Sequence, residues 1–233
     1  MNSGKKVAIL QSNYIPWKGY FDIINSVDEF ILFDDAQYTK RDWRNRNKIK
    51  TPTGLFWLTI PVEVKGKYNQ AIKDTIVKND EWRKSHWKTI SINYSKSKYF
   101  DLYKSIFEKL YIDSTNTKLS KINYEFIIEI CKILGIKTKI TWSMDYDLVE
   151  GKTKRLINLC AQTNATIYFS GPAGKDYINE ESFRTAGIKL SFMDYSGYPE
   201  YRQLYPPFIH QVSIIDLLFN EGPNATNFMK SFQ

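Results

Sequence analysis

The residues best suited to chemistry follow the first apolar run of the chain. Residues 7–10 predict a buried strand, and residues 11–22 continue it with amide, aromatic, proline and glycine residues. Because open α/β proteins bind ligands beyond the carboxyl ends of their strands, we predict a binding site here. Two amides and two aromatic rings are its candidate substrate-binding groups: Gln11, Asn13, Tyr14 and Trp17. The structural alternative is an ordinary loop with Pro16 near the helix start and the rings in the core.

A second polar segment, residues 34–37, ends the next predicted strand, residues 29–33. In a doubly wound sheet this end lies beside the end of the first strand. A carboxylate there can bind a sugar hydroxyl, hold a cation or act as a base. We predict that Asp34 and Gln37 bind substrate and that Asp35 is a catalytic base. A turn-capping role for Asp35 is the alternative.

Basic residues are densest in residues 40–50, which also contain Trp43. In an extended strand Arg44 and Arg46 point to one face, while Asn45 and Asn47 point to the other. Two guanidinium groups on one face can bind a phosphate bidentately, and we predict this role for them. The candidate substrate-binding residues of this segment are Arg44, Asn45, Arg46, Asn47 and Lys50. A solvated run of charge is the alternative.

His86 is one of two histidines and shares a predicted helix face with Trp82, Ile90 and Tyr94. A histidine on such a face is most often half-buried and structural, but the pKa of an imidazole also suits a general base. We therefore treat His86 as a second candidate catalytic base beside Asp35. No metal site is predicted, because no second ligand stands at i+3 or i+4.

A glycine- and proline-rich loop, residues 170–174, follows another predicted strand, residues 166–169. It is not a Walker A loop, which requires G-x-x-x-x-G-K-[ST]. Beside the first loop at a switch point of the sheet, it suits contact with a phosphate. Its candidate substrate-binding residues are Ser170, Lys175 and Tyr177.

Strand and helix patterns alternate along most of the chain. They predict one α/β domain over residues 1–233, with a Rossmann-like, mostly parallel sheet. A proline- and glycine-containing turn between residues 43–50 and 55–64 predicts a β-hairpin. Residues 80–134 read as helical throughout and predict a helical insertion that Gly135 ends. The later elements are predicted as a strand at 137–142, helices at 152–162 and 176–184, a strand at 188–193 and a helix at 214–220. Ser213 is predicted to cap the last helix in a reciprocal pair with Asp216.

Composition narrows the class of protein. The chain has 233 residues, a net charge of +8 and two cysteines without C-x-x-C spacing, so no disulfide framework is predicted. The charge allows a nucleic-acid partner, but the sequence lacks a reading helix or an aromatic RNP-type strand, and we predict none. The apolar run before Gln11 is too short for a signal peptide or a membrane span, which predicts a cytoplasmic protein without membrane insertion.

A specific combination of motifs extends over nearly the whole chain. The motifs are Gln11-x-Asn13-Tyr14-x-Pro16-Trp17-x-Gly19-Tyr20-Phe21-Asp22, Phe33-Asp34-Asp35-x-Gln37-Tyr38, Trp43-x-Asn45-Arg46-Asn47-x-Ile49-Lys50, His86-Trp87-Lys88 with Asn93-Tyr94, and Ser213-x-x-Asp216-Leu217-Leu218-Phe219-Asn220. Together they resemble the WbqC-like family of bacteria. This resemblance implies a place in O-antigen and lipopolysaccharide biosynthesis, with transfer of glycine or a related acyl group to a sugar.

The order of strand, P-x-x-G turn, helix and strand is also similar to the H-x-G-H nucleotidyltransferase superfamily, which includes pantothenate synthetase. This chain has Trp17-Lys18-Gly19-Tyr20 where that superfamily has its histidines. Those histidines stabilise the phosphorus transition state, so their replacement argues against nucleotidyl transfer. Acyl-transfer chemistry on a related fold is compatible with the change.

The residues and the resemblance together lead to an enzyme hypothesis. We expect an N-acyltransferase that joins an acyl or aminoacyl group to the amino group of a nucleotide-linked sugar. No cofactor is expected to stay bound; the donor is an acyl thioester, on an acyl-carrier protein or CoA, or an acyl-adenylate. The alternatives are a non-catalytic nucleotide-sugar or glycan binding module and a nucleotidyltransferase-like or ATP-dependent ligase enzyme. The oligomeric state stays open.

Overall fold

The computed structural model describes residues 4–233. In chain order, its strands and helices are β1 (Lys6–Leu10), α1 (Lys18–Asn25), β2 (Glu29–Leu32), β3 (Arg46–Thr51), β4 (Gly54–Thr59), α2 (Glu81–Tyr94), α3 (Phe100–Ile112), α4 (Leu119–Leu134), β5 (Lys139–Trp142), α5 (Lys152–Gln162), β6 (Ile167–Ser170), α6 (Glu180–Thr185), β7 (Lys189–Phe192) and α7 (Ile214–Glu221). Short 3-10 turns occupy Ile72–Asp74, Ser143–Asp145, Pro172–Asp176 and Gly222–Phe228.

Five of the strands form one parallel sheet in the order β5-β2-β1-β6-β7. The chain runs outward from β1 to β2 and β5, and then continues with β6 on the other side of β1. The carboxyl ends of β1 and β6 therefore flank the switch point of the sheet, where α/β proteins bind ligands. This architecture confirms the predicted α/β, Rossmann-like fold.

Alternating residues of the central strands enter two separate cores. Ala8 and Phe30 belong to the larger core, which α1, α7 and the helices of residues 81–134 also build. Val7, Ile9 and Ile31 belong to the smaller core, which α5 and α6 cover. Successive side chains of a strand point to opposite faces, so both faces of the sheet are covered by helices.

The region predicted as continuously helical consists of three helices, α2, α3 and α4. The chain leaves helical geometry after Tyr94 and again after Ile112. The periodicity of the side chains does not indicate these two interruptions. Gly135 ends α4 in the left-handed conformation, with a φ of 73°, as predicted. A residue with a Cβ is strained at this φ, which explains the glycine.

The hairpin and two later helices are present as predicted, but some of their boundaries and caps differ from the prediction. β3 and β4 pair in antiparallel fashion and confirm the hairpin, but β3 starts at Arg46 and not at Trp43. Residues 172–176 form a 3-10 turn, so the predicted helix there begins only at Glu180. Ser213 caps α7 through Ile215 N, as expected. Asp216 does not complete a capping pair, because its carboxylate accepts hydrogen bonds from Tyr94 and Tyr201, each at 2.7 Å.

The C-terminal part of the chain packs against its beginning. The Asp22 carboxylate of α1 accepts hydrogen bonds from the backbone N–H groups of Lys230 at 3.0 Å and Ser231 at 2.9 Å. Ile214 N donates to Pro16 O at 2.8 Å. Within residues 4–233, no helix combines the length and the apolar character that a membrane crossing requires.

Candidate functional site

The segment that joins β1 to α1, residues 11–17, is held in place from its buried side. Ser12 N donates to Asp34 Oδ1 at 2.8 Å, and Asn123 Nδ2 donates to Ser12 Oγ at 3.0 Å. Ser120 Oγ also donates to Asp34. Burial raises the pKa of the Asp34 carboxyl, and the hydrogen bonds from Ser120 and Ser12 oppose that rise. Asp34, predicted to bind substrate, is fully buried and holds the strand ends together.

Tyr14 points into the helical layer and meets His86. Tyr14 Oη lies 2.9 Å from His86 Nδ1 and 2.6 Å from Tyr111 Oη. Burial lowers the pKa of His86 to about 4, while a hydrogen bond with the Thr59 backbone acts in the opposite direction. His86 is therefore neutral at physiological pH, and its ring packs edge-on against Trp82. Neither Tyr14 nor His86 lines the cavities described below.

A cavity of about 500 Å³ opens at the switch point, above the carboxyl ends of β1, β2 and β6. This volume lies within the range of roughly 300–1,000 Å³ that is usual for small-molecule sites. Three of the predicted binding residues line it: Gln11, Ser170 and Tyr177. The structure also brings Phe33, Lys152 and Arg155 to the same wall. We call this space the switch-point cavity.

Two cations supply its positive charge. Lys152 and Arg155 belong to the first turn of α5, where the sequence has no acidic residue. Acidic side chains are the favoured residues at a helix N-terminus, so a first turn of cations is electrostatically unfavourable without an anion. Sequence reasoning missed both residues, although this inverted charge pattern was visible in the predicted helix at 152–162. Together with the free N–H groups of that helix end, they suit a phosphate.

The loop after β6 approaches the cavity closely. A Cβ at Gly174 would lie 2.1 Å from Ser170 Oγ, so the glycine leaves room for this serine side chain in the cavity wall. Tyr177 is 53% exposed and leaves an accessible ring beside the cations. Lys175, also predicted to bind substrate, does not line the cavity; its ammonium lies 5.4 Å from the Phe192 ring centre.

A smaller pocket of about 150 Å³ lies between residues 11–17 and the hairpin. Its walls are Asn13, Pro16, Trp17, Trp43, Asn47 and Gln211. Trp17 packs against Tyr195 and Tyr198, with ring centres 5.1 and 5.8 Å away. A Cβ at Gly19 would lie 2.3 Å from the Trp17 ring, so this glycine makes room for the indole. We call this space the tryptophan pocket.

The basic segment does not form the predicted phosphate clamp. Arg44 precedes β3 and donates to Asn13 Oδ1, whereas Arg46 donates to Arg41 O and stacks over the Trp57 ring at 4.1 Å. The two guanidinium groups are engaged separately, because Arg44 lies outside the strand and the assumed alternation does not apply to it.

The amides of the same segment have structural roles. Asn45 Nδ2 donates to Ile60 O at 2.7 Å, and Asn47 Nδ2 donates to Ile15 O at 2.9 Å. Lys50 is buried, and its ammonium donates to Gln203 Oε1 at 2.9 Å. Of these residues predicted to bind substrate, only Asn47 reaches a pocket.

Asp35 and Gln37 lie at the rim of the sheet. Asp35 accepts a hydrogen bond from Ser143 Oγ at 2.7 Å and forms an ion pair with Lys73. Gln37 is exposed, and its side chain donates to Tyr68 O at 2.8 Å. Asp35 does not line the switch-point cavity, but it adjoins Ala36, which does. Within residues 4–233, no group of three His, Cys, Asp or Glu side chains is placed to hold a metal ion.

Comparison with known proteins agrees with the motifs. A model of the WbqC-like protein family matches residues 11–228, which include every lining residue of the tryptophan pocket and all those of the switch-point cavity except Ile9 and Leu10. An uncharacterized protein of Mycobacterium tuberculosis (strain ATCC 25618 / H37Rv), Rv1507c, is 49% identical over 226 residues, covering 97% of this chain and 98% of the relative. No solved structure matches the chain. The chain therefore belongs to the WbqC-like protein family.

Proposed function

We propose that this protein transfers an acyl or aminoacyl group, such as glycyl, to the amino group of a nucleotide-linked sugar in surface-polysaccharide biosynthesis. The switch-point cavity is the observation that carries the proposal. Its position favours a nucleotide, and Lys152 and Arg155 bring two positive charges to its wall. The rings of Phe33 and Tyr177 offer faces for a base, and Gln11 and Ser170 offer polar groups for hydroxyls.

The reaction itself makes few demands on the protein. The amine nitrogen attacks the carbonyl carbon of a thioester, a C–N bond forms, the C–S bond breaks, and a thiol leaves. The nitrogen loses one proton, which a base or the leaving thiolate accepts. Because a thioester is already activated, positioning of the two reactants supplies most of the rate.

Asp35 is the candidate base nearer to the cavity. It lies three residues after the end of β2 and adjoins Ala36 in the cavity wall. His86 is a weaker candidate, because its ring is buried in the helical layer and its Nδ1 contacts Tyr14 Oη. In this proposal Asp35 accepts the proton after its ion pair with Lys73 opens, and His86 is structural.

A non-catalytic binding module is the second candidate. The observation that favours it is the composition of the cavity wall, in which none of the described lining residues is an acid or a histidine. Such a protein binds the nucleotide sugar through the same cations and requires no base.

Two measurements test these candidates in sequence. Titration calorimetry with UDP- and dTDP-linked amino sugars is expected to show binding, and Arg155→Ala is expected to raise Kd about tenfold through loss of a charge-assisted contact. Arg184→Ala is the matched control, because Arg184 is exposed, pairs with Glu181 and lies outside the cavity. Equal effects of the two substitutions contradict the proposed phosphate site.

Mass spectrometry then follows amide formation from glycyl thioesters of CoA and acyl-carrier protein and from glycyl-adenylate. Product that disappears in Asp35→Asn, while nucleotide-sugar binding persists, supports the transferase. Binding without product from any of these donors supports the binding module instead. Release of pyrophosphate from a nucleoside triphosphate argues for nucleotidyl transfer.

A further inference from the structure

The tryptophan pocket differs from the switch-point cavity in size and in chemistry. Its volume of about 150 Å³ compares with about 500 Å³ for the larger space. None of its described lining residues carries a charge. Because an uncompensated ion is costly to desolvate, this wall favours a neutral ligand. The pocket is too small for a nucleotide and has room for a single ring.

The side chains of this pocket combine two kinds of surface. Trp43 contributes a ring that is 40% exposed, and Trp17 contributes a second indole to the wall. Gln211 is exposed and brings a complete carboxamide to the rim. The Asn13 oxygen accepts from Arg44, which leaves its NH2 group as the donor for a ligand. A carboxamide both donates and accepts hydrogen bonds, as a hydroxyl group does.

We infer that the tryptophan pocket is a binding site for one neutral sugar ring, separate from the nucleotide site. A pyranose has an apolar C–H face that stacks on an indole and a rim of hydroxyls that pair with carboxamides. The inference goes beyond the proposed function, since the ring binds here without a nucleotide or an acyl group.

The surroundings hold this pocket open before a ligand arrives. Trp17 packs against the rings of Tyr195 and Tyr198, and Gly19 leaves room for its indole because glycine has no Cβ. Asn47 is fixed by hydrogen bonds to the backbone oxygens of Tyr14 and Ile15. A preformed wall reduces the ordering cost of binding, so a small ligand with few contacts binds measurably.

Two tryptophans of the hairpin region provide a matched pair for the test. Trp43 and Trp57 are 40% and 39% exposed, and their rings are 5.5 Å apart. Only Trp43 lines the pocket. The substitution Trp43→Ala removes the stacking face and keeps the Trp43 backbone oxygen that accepts from Tyr14 N at 3.0 Å. The substitution Trp57→Ala removes an equally exposed indole outside the pocket.

The experiment is saturation-transfer NMR on the full chain with neutral hexoses and N-acetylhexosamines. At least one sugar is expected to show transfer with a Kd on the order of millimolar. Trp43→Ala is expected to raise that Kd at least tenfold, and Gln211→Ala is expected to raise it a fewfold. Trp57→Ala and Trp43→Phe are expected to change the Kd much less than Trp43→Ala. Saturating UDP is expected to leave the transfer unchanged.

The outcomes separate this inference from the proposed function. Absence of transfer for the whole set of sugars overturns the inference, as does an equal loss in Trp43→Ala and Trp57→Ala. Competition by UDP overturns the separateness of the site. Circular dichroism of each variant establishes that it is folded. None of these readouts depends on acyl transfer, so the inference and the proposed function fail independently.

Discussion

Neighbouring residues between β1 and α1 face two different environments. Ser12 and Tyr14 are fully buried and bond to Asp34, Asn123, His86 and Tyr111. Gln11, Asn13 and Trp17 are half-exposed and line the two cavities. One recognisable motif therefore contains a buried, structural half and an open half that lines cavities. Substitutions in the buried half are expected to change stability, and those in the open half to change binding.

The largest expected effect on stability comes from Asp34. Asp34→Ala leaves the Ser12 N–H and the Ser120 hydroxyl without their acceptor in a buried place, and we expect a loss of about 3 kcal/mol in the free energy of unfolding. Asp35→Ala at the adjacent position is the control, and we expect it to lower the free energy of unfolding by only about 1 kcal/mol. Asp35 and Lys73 are partly exposed, so solvent screens their ion pair. Urea unfolding measures both. Equal losses would remove the distinction between the two carboxylates.

The second prediction concerns pH and the buried side of the comparison. The pKa of His86 is about 4 in the folded chain and near 6.5 when the residue is unfolded, so unfolding takes up a proton at acidic pH. The stability due to neutral His86 is present above pH 6.5 and is lost as the pH falls toward 4. Between pH 7.5 and 5 this loss amounts to about 2 kcal/mol.

The measurement is urea unfolding at both pH values for the wild type and His86→Gln. The variant is expected to lose about 2 kcal/mol less than the wild type over this interval, since glutamine does not titrate. Parallel pH dependences of the two proteins would show that His86 is solvated, and would reopen its role as a base.

The third prediction concerns Gly19, where one substitution is expected to affect both stability and the tryptophan pocket. Gly19→Ala places a methyl group where the Trp17 ring lies, at a clash distance of 2.3 Å. We expect a cost of roughly 1–2 kcal/mol from overpacking and displacement of Trp17 from the tryptophan pocket. Gly171→Ala is the control, because a Cβ there meets nothing within 4 Å. Thermal unfolding gives the cost, and an unchanged Trp17 position in a crystal structure of the variant would contradict the explanation.

The smallest effect on stability is expected in the open half. Gln11→Ala keeps the backbone oxygen that accepts from Tyr20 Oη at 3.0 Å, and its stability is expected to stay within about 0.5 kcal/mol of the wild type. Nucleotide-sugar affinity is expected to fall severalfold. Calorimetry and urea unfolding of one preparation test both parts. A large loss of stability would place Gln11 in the structural half.

The sequence predicts the sheet well and predicts which strand ends meet at the switch-point cavity, because both depend on local patterns. Apolar runs such as residues 7–10 mark strands of the parallel sheet, and polar residues directly after them mark strand ends. Gln11, Ser170 and Tyr177 meet in one cavity as expected, since the carboxyl ends of β1 and β6 are neighbours.

The orientation of individual side chains is harder to predict. Asp34 and Asp35 are adjacent and chemically identical, yet one is buried against Ser12 and the other pairs with Lys73 near the surface. The difference depends on Ser120, 86 residues away from Asp34, and Ser143, 108 residues away from Asp35. Partners at such separations leave no periodic signal. Lys152 and Arg155 differ, because the inverted charge pattern of their helix start is visible in the sequence.

The contact between α1 and the C-terminal residues affects the order of events during synthesis. Asp22 accepts hydrogen bonds from Ser231, which lies 209 residues later in the chain. At about 5–20 residues per second, α1 leaves the ribosome roughly 10–40 s before this partner. During that interval residues 11–17 lack the Ile214 contact that fixes Pro16. Proteolysis of ribosome-bound chains is expected to cleave this segment until residues 214–231 emerge.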